Sequence, residues 1–171
     1  MRYTNTRDEE AEMIWTSMDF GKHTGLTLPE ALFKDPDWFF WMMEQPNPLK
    51  NDRSLVAQAN DLLRKATSIR IPGDGEEEEL EIEHMVDFPS RKYGGFLVVP
   101  ASKESHQGSS QTLRRDHLDM SIPRQIAAYD KTGGKLLVKC MKPIYFGSQS
   151  ARPTKQRCEA FFNDESNFYL D

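Results

Sequence analysis

Two side chains able to carry positive charge, Lys22 and His23, sit between glycines in Phe20-Gly21-Lys22-His23-Thr24-Gly25. Glycine allows turn conformations closed to other residues, so this spacing predicts a tight loop with both side chains projecting outward to meet phosphate; the alternative is that the glycines only serve a hairpin, with Trp38 and Trp41 building the core beneath it. It is not a Walker loop, which needs Gly-x-x-x-x-Gly-Lys-Ser/Thr. The densest polar cluster is Arg114-Arg115-Asp116-His117-Leu118-Asp119. Its guanidinium groups suit phosphate, and Asp116, His117 and Asp119 suit a divalent cation; the plainer alternative is an exposed loop. His23, His84, His106 and His117 nowhere show the HExxH or HxH spacing of a metal site. A carboxylate-and-lysine nuclease needs an acid on one strand and an acid-x-lysine on the next. Asp87 offers the first, but Ala101, two places before Lys103, is not an acid. Cys140 and Cys158 lie outside any zinc-ligand spacing. Cys140 reads as a core residue, and Cys158 beside Arg157 as a somewhat activated thiol. No catalytic motif and no cofactor fingerprint emerges.

Charge is divided unevenly. The net charge of −5 hides eight acids and no lysine or arginine in residues 73–90, against 13 basic and eight acidic residues in 91–171. A basic region inside an acidic chain points to a polyanionic partner. Lys22, His23, Arg114, Arg115, Arg124, Lys131, Lys135, Lys139 and Lys142 form the candidate nucleic-acid surface. The run Glu76-Glu77-Glu78-Glu79 repels phosphate, and so either lies on another face or imitates phosphate toward a protein partner. The alternative is that acidic and basic regions pair within the molecule or are merely solvated.

The elements that must position these residues follow from pattern. A length of 171 residues suits one domain with room for a second small module, and an aromatic content of 11% is too high for a disordered chain. The longest apolar run, near Trp38 to Met43, is far shorter than the roughly 18 residues of a membrane span. The first ten residues lack an apolar leader, so a cytoplasmic protein with free thiols is expected. Residues 8–18 read as a helical turn entering a strand. Leu28 to Leu32 predicts a short helix, and Asp35-Pro36 caps and starts another that ends before Pro46. Arg53 to Ala66 keeps helical spacing of Leu55, Val56, Ala59, Leu62, Leu63 and Ala66. Ile71-Pro72-Gly73-Asp74-Gly75 marks a seam, giving a helical part over 1–71 and a small α+β part over 72–171 that either stands apart or packs with the first. Residues 80–99 predict a hairpin, Ala101 to Gln111 a mobile loop, Pro123 to Asp130 a helix ended by Thr132-Gly133-Gly134, and Lys135 to Met141 a third strand. Thr154 caps a last helix to Phe162, and the acidic tail is expected to fray. Helices first and strands later, without βαβ repetition, give an α+β class: a helical part with a short hairpin, then a small antiparallel sheet with one or two helices.

Residues 18–44 resemble a small module whose pattern runs Phe-Gly-Lys-His/Tyr-x-Gly-x-x-Leu, a short helix, then Pro-x-x-Tyr-Leu-x-Trp-Leu. Phe20, Gly21, Lys22, His23, Gly25, Leu28, Pro36 and Trp41 match it, Phe39 stands near the usual tyrosine, and Leu26 replaces a usual lysine. The module is similar to the C-terminal extension of exodeoxyribonuclease X-type proteins and to the family described as quorum-sensing-regulated virulence factors. The resemblance covers about a sixth of the chain and implies an association with nucleic-acid processing rather than an activity.

Two expectations result. One is a small noncatalytic nucleic-acid-associated protein, of the kind a phage or mobile element encodes, binding through the basic surface. The other is a protein-binding inhibitor or adaptor, such as a phage factor acting on a host nucleic-acid enzyme, that uses Glu76 to Glu79. A metal-dependent nuclease is the third reading. No membrane partner is expected, and the oligomeric state is left open.

Overall fold

A computed structural model describes residues 13–105, 111–127 and 131–170. Among them the chain forms six helices and a three-stranded antiparallel sheet, an α+β fold. The N-terminal helices are α1 (Leu28–Lys34), α2 (Pro36–Met43) and α3 (Arg53–Ala66). Their starts are set by side chains that satisfy free backbone N–H groups. Asp35 accepts from Trp38 N at 3.2 Å, and Asp52 accepts from Leu55 N at 3.1 Å. At α1 the Glu30 carboxylate reaches back to the Thr27 N–H at 3.2 Å. In α3 the predicted apolar face is buried at Leu55, Ala59, Leu62 and Ala66, whereas Val56 is exposed.

Strands β1 (Leu80–Asp87) and β2 (Lys92–Pro100) form the predicted hairpin, and β3 (Gln111–Arg115) pairs with the other edge of β1 to give the order β2-β1-β3. Pairing of β1 with β2 slips between His84 and Val86, where Met85 faces both Gly94 and Gly95. This is a bulge on β2, and it requires glycine. Gly95 takes φ +96, and a Cβ there would lie 3.1 Å from Cys140 Sγ.

The remaining helices are α4 (Ile122–Ile126), α5 (Lys131–Tyr145) and α6 (Lys155–Asn163), the last capped by Thr154, which accepts from Arg157 N at 3.3 Å. Helix α5 corrects the sequence reading. Lys135 to Met141 is helical, and Thr132-Gly133-Gly134 opens this helix instead of ending the previous one. Helix α2 passes close to Gly134, where a Cβ would make ordinary van der Waals contact with Pro36 at 3.4 Å and Asp37 N at 3.5 Å. Leu137, Val138 and Met141 are buried along one stripe, while the lysines at 135, 139 and 142 share another at helical spacing.

Two other expectations change. Residues 13–18 form neither helix nor strand. They lie across α3 and α6, with Trp15 Nε1 donating to Asn163 Oδ1 at 3.0 Å and Thr16 N to Gln58 Oε1 at 3.1 Å. The tail does not fray: Phe168 is buried and bridges Ile69, and Tyr169 N donates to Ser68 O at 2.9 Å. The expected helix within 8–12, the heart of the mobile loop at 106–110 and the end of the 123–130 helix at 128–130 lie outside the described residues.

One buried cluster spans the Ile71–Gly75 seam. It takes Leu32, Phe39 and Leu62 from one side and Ile82, Phe96, Leu137 and Phe162 from the other, with Ile69 and Ile71 themselves buried. No helix among the described residues is long and apolar enough to cross a membrane.

Candidate functional site

The glycine-flanked loop closes as a short hairpin, with Met18 N donating to Leu26 O at 2.9 Å and Gly25 N to Met18 O at 2.8 Å. Gly21 and Gly25 take φ +76 and +90, the conformations that require glycine. The loop's cationic side chains, however, turn toward Asp35. Lys22 Nζ lies 2.9 Å from Asp35 Oδ2, and His23 Nε2 lies 3.3 Å from the same oxygen. His23 is 5% exposed, with its ring edge-on to Trp38 at 4.7 Å. Burial lowers the His23 pKa and outweighs the pull of Asp35, so the ring is neutral near pH 7. His23 therefore does not project outward, which corrects the expected phosphate contact. Burial alone would raise the Asp35 pKa, but hydrogen bonds from Lys22 and from Trp38 N hold it below the usual carboxylate range.

Asp35 thus joins the loop to the start of α2. Asp35→Ala is expected to lower the unfolding free energy by about 1–2 kcal/mol through loss of the cap, with a smaller share from the half-exposed Lys22. Asp35→Asn keeps a capping acceptor and should lose less. Urea denaturation of the three proteins tests this, and equal midpoints for wild type and the alanine variant would refute the assignment.

The other expected cations are scattered. Arg124 leaves the candidate surface: its side chain is 9% exposed and its guanidinium contacts Asp37 at 3.0 Å and Glu44 at 2.9 Å. Arg114 lies on β3 rather than in an exposed loop. It contacts Glu81 at 3.1 Å, donates to Pro100 O at 3.0 Å and also donates to Lys103 O, tying the 100–105 segment to the sheet. Arg115 is exposed, but β3 is the opposite sheet edge from β2, against which α5 packs. Lys131 begins α5.

Lys135, Lys139 and Lys142 do come together. With Lys34 from the end of α1 they line a groove of about 390 Å³ that also touches Phe33, Val138 and Pro153. Phe33 and Val138 are buried, so the groove wall is packed core rather than loose side chain. Lys135 and Lys139 are exposed and Lys142 is half-buried. None of the four makes an ion pair among the described residues. Lys34 escaped the sequence reading, because only the fold sets the end of α1 beside α5.

The acidic run is equally plain. Glu76, Glu77, Glu78 and Glu79 are all exposed in a turn held by Gly75 N to Glu78 O at 3.0 Å and Ala101 N to Glu79 O at 2.8 Å. No ion pair among the described residues joins this run to the basic region.

Burial pushes the Cys158 thiol up to about 12, so it is not activated by Arg157. Asp119 accepts from Ser121 N at 2.8 Å and from its hydroxyl at 2.6 Å, as a turn residue does, whereas His117 pairs with its exposed neighbour Asp116. No group of three potential metal ligands occurs among the described residues. The fold and groove define an α+β protein with a lysine-walled surface. No family model, curated protein or solved structure matches the chain.

Proposed function

We propose that this protein is a small noncatalytic nucleic-acid-associated protein that binds the phosphate backbone through Lys34, Lys135, Lys139 and Lys142. The observation that carries the reading is the convergence of these ammonium groups from two helices on one groove, with no carboxylate paired to them among the described residues. Lysine acts as a point charge toward phosphate and imposes no base specificity. The resemblance of residues 18–44 to modules of nucleic-acid-processing proteins agrees with it, and the protein is then of the kind a phage or mobile element encodes.

The test is a titration of single- and double-stranded DNA and RNA at two salt concentrations, with and without magnesium. Four phosphate contacts predict a roughly 100-fold loss of affinity between about 50 and 200 mM salt, through counterion release. Lys135→Glu, Lys139→Glu and Lys142→Glu together are expected to abolish binding while leaving the fold intact, as judged by circular dichroism. Unchanged affinity in that variant would overturn the proposal, and magnesium-dependent cleavage would replace it with a nuclease.

The second reading is an inhibitor or adaptor that binds a nucleic-acid-processing protein. It is favoured by the exposure of all four glutamates on a turn pinned at both ends. A partner captured by the wild type and still retained after neutralisation of Glu76 to Glu79 would argue against it.

A further inference from the structure

Helix α2 is almost wholly apolar, and Phe39, Phe40 and Met42 are buried as that composition demands. Trp41 breaks the pattern at 40% exposed. It lines a depression of about 590 Å³ together with Phe20, Lys22, Asp37, Trp38 and Met42. That volume lies within the roughly 300–1,000 Å³ of small-ligand sites. Cations lie around the depression: Lys22 is held in place by Asp35, and Lys50 Nζ stands 5.0 Å from the centre of the Phe20 ring. The Asp37 carboxylate is engaged by Arg124 at 3.0 Å, so the one acid in the lining is neutralised.

The position of the depression relative to the lysine groove gives it meaning. Lys34 lines the groove and Asp37 lines the depression, so the segment Lys34-Asp35-Pro36-Asp37 divides the two. Three trans peptide links separate the Cα atoms of Lys34 and Asp37 by at most about 11 Å. If one strand follows both groove and depression, phosphates on the lysines put a neighbouring nucleotide beside the aromatic rings.

Resting on the nucleic-acid reading above, we propose that this aromatic depression receives an unstacked nucleobase of the bound strand, so that the protein prefers single strands to duplexes. A flat ring can stack on an exposed indole whatever its sequence, whereas in a duplex both faces of every base are already stacked. The lysine groove supplies affinity for either form. The depression supplies the discrimination.

Fluorescence anisotropy with a labelled oligonucleotide and its duplex at low salt tests this on the full chain. The wild type should bind the single strand more tightly and show tryptophan quenching with it alone. Trp41→Ala should lower single-strand affinity roughly 5- to 100-fold, the range expected for one lost stack. It should leave duplex affinity and the salt slope unchanged, and Trp41→Phe should restore most of the preference. The exposure of Trp41 makes these variants compatible with folding, and Phe20→Ala provides a second wall of the depression to probe. Equal affinity for both forms, or an unaltered preference in Trp41→Ala, would overturn this inference while leaving the backbone-binding reading intact. Absence of binding to either form would sink both.

Discussion

Arg124→Met is expected to lower the unfolding free energy by about 3–5 kcal/mol, the usual result of stranding a buried charge. The guanidinium donates through Nε and Nη2 to the two oxygens of Glu44, each at 2.9 Å, and through Nη1 to Asp37 at 3.0 Å. Those carboxylates stand at opposite ends of α2, in its first turn and at its C-cap, so one side chain from α4 clamps the whole helix. The hydrogen bonds that Arg124 donates to Glu44 lead the effects that raise the Arg124 pKa, although Glu44 itself is mostly exposed and contributes less to stability than geometry suggests. Asp37 is the sensitive partner, because its side chain is 8% exposed and loses its cation in the variant. For a chain of this size the loss corresponds to a fall in melting temperature of about 6–20 °C. Adding Asp37→Asn to Arg124→Met should recover part of it, since the stranded charge is then absent. A loss below about 1 kcal/mol would show that the pair is solvated. Because the guanidinium is committed inside the fold, the nucleic-acid affinity proposed above should not change per folded molecule.

Stability is also expected to fall between about pH 6.5 and pH 4 because of His84, by up to roughly 3 kcal/mol. This histidine is fully buried on β1, with Nδ1 2.7 Å from the Tyr93 hydroxyl and Nε2 without a hydrogen-bond partner among the described residues. Burial, with Arg115 and His117 as nearby positive charges, pushes its pKa down to about 4. The folded state therefore holds the ring neutral through a window in which the unfolded chain, with a pKa near 6.5, takes up a proton. More protons bound in the unfolded state means stability declines as pH falls through that window, and the full contribution is present above it. The carboxylates with lowered pKa values, Asp35, Glu44, Asp61 and Asp74, lose their contributions as the pH falls further. Urea midpoints measured from pH 7.5 to 4 should show the decline. It should become shallower when His84→Phe is combined with Tyr93→Phe, which removes the imidazole without orphaning the hydroxyl, the remaining slope including His23, whose pKa burial also lowers. An unchanged slope in the double variant would assign the decline to other groups.

Much of the fold was legible in local pattern. Asp35-Pro36 and Thr154 marked helix starts because capping depends on a side chain reaching backbone only three residues away. Arg53 to Ala66 was legible because a helix half exposed to water must repeat its apolar residues at helical spacing. The 80–99 hairpin followed from alternation of the same kind. Helix α5 was misread because Gly133-Gly134 is ordinarily a stop, whereas here the pair lies in the first turn of a helix held by packing against β2 and α2, contacts that distant segments supply.

The same division holds for the candidate site. Composition and order alone determined an α+β chain, a basic C-terminal part, an isolated acidic run and the absence of a catalytic spacing. The tertiary structure decided which charges are available. It placed Lys34 beside Lys135, Lys139 and Lys142, turned His23 inward to Asp35, and committed Arg124 to Asp37 and Glu44. A sequence shows how many charges a chain carries, but whether a charge meets water, a ligand or a carboxylate depends on partners up to 87 residues away. Only folding brings those partners within the few ångströms over which ion pairs and hydrogen bonds act.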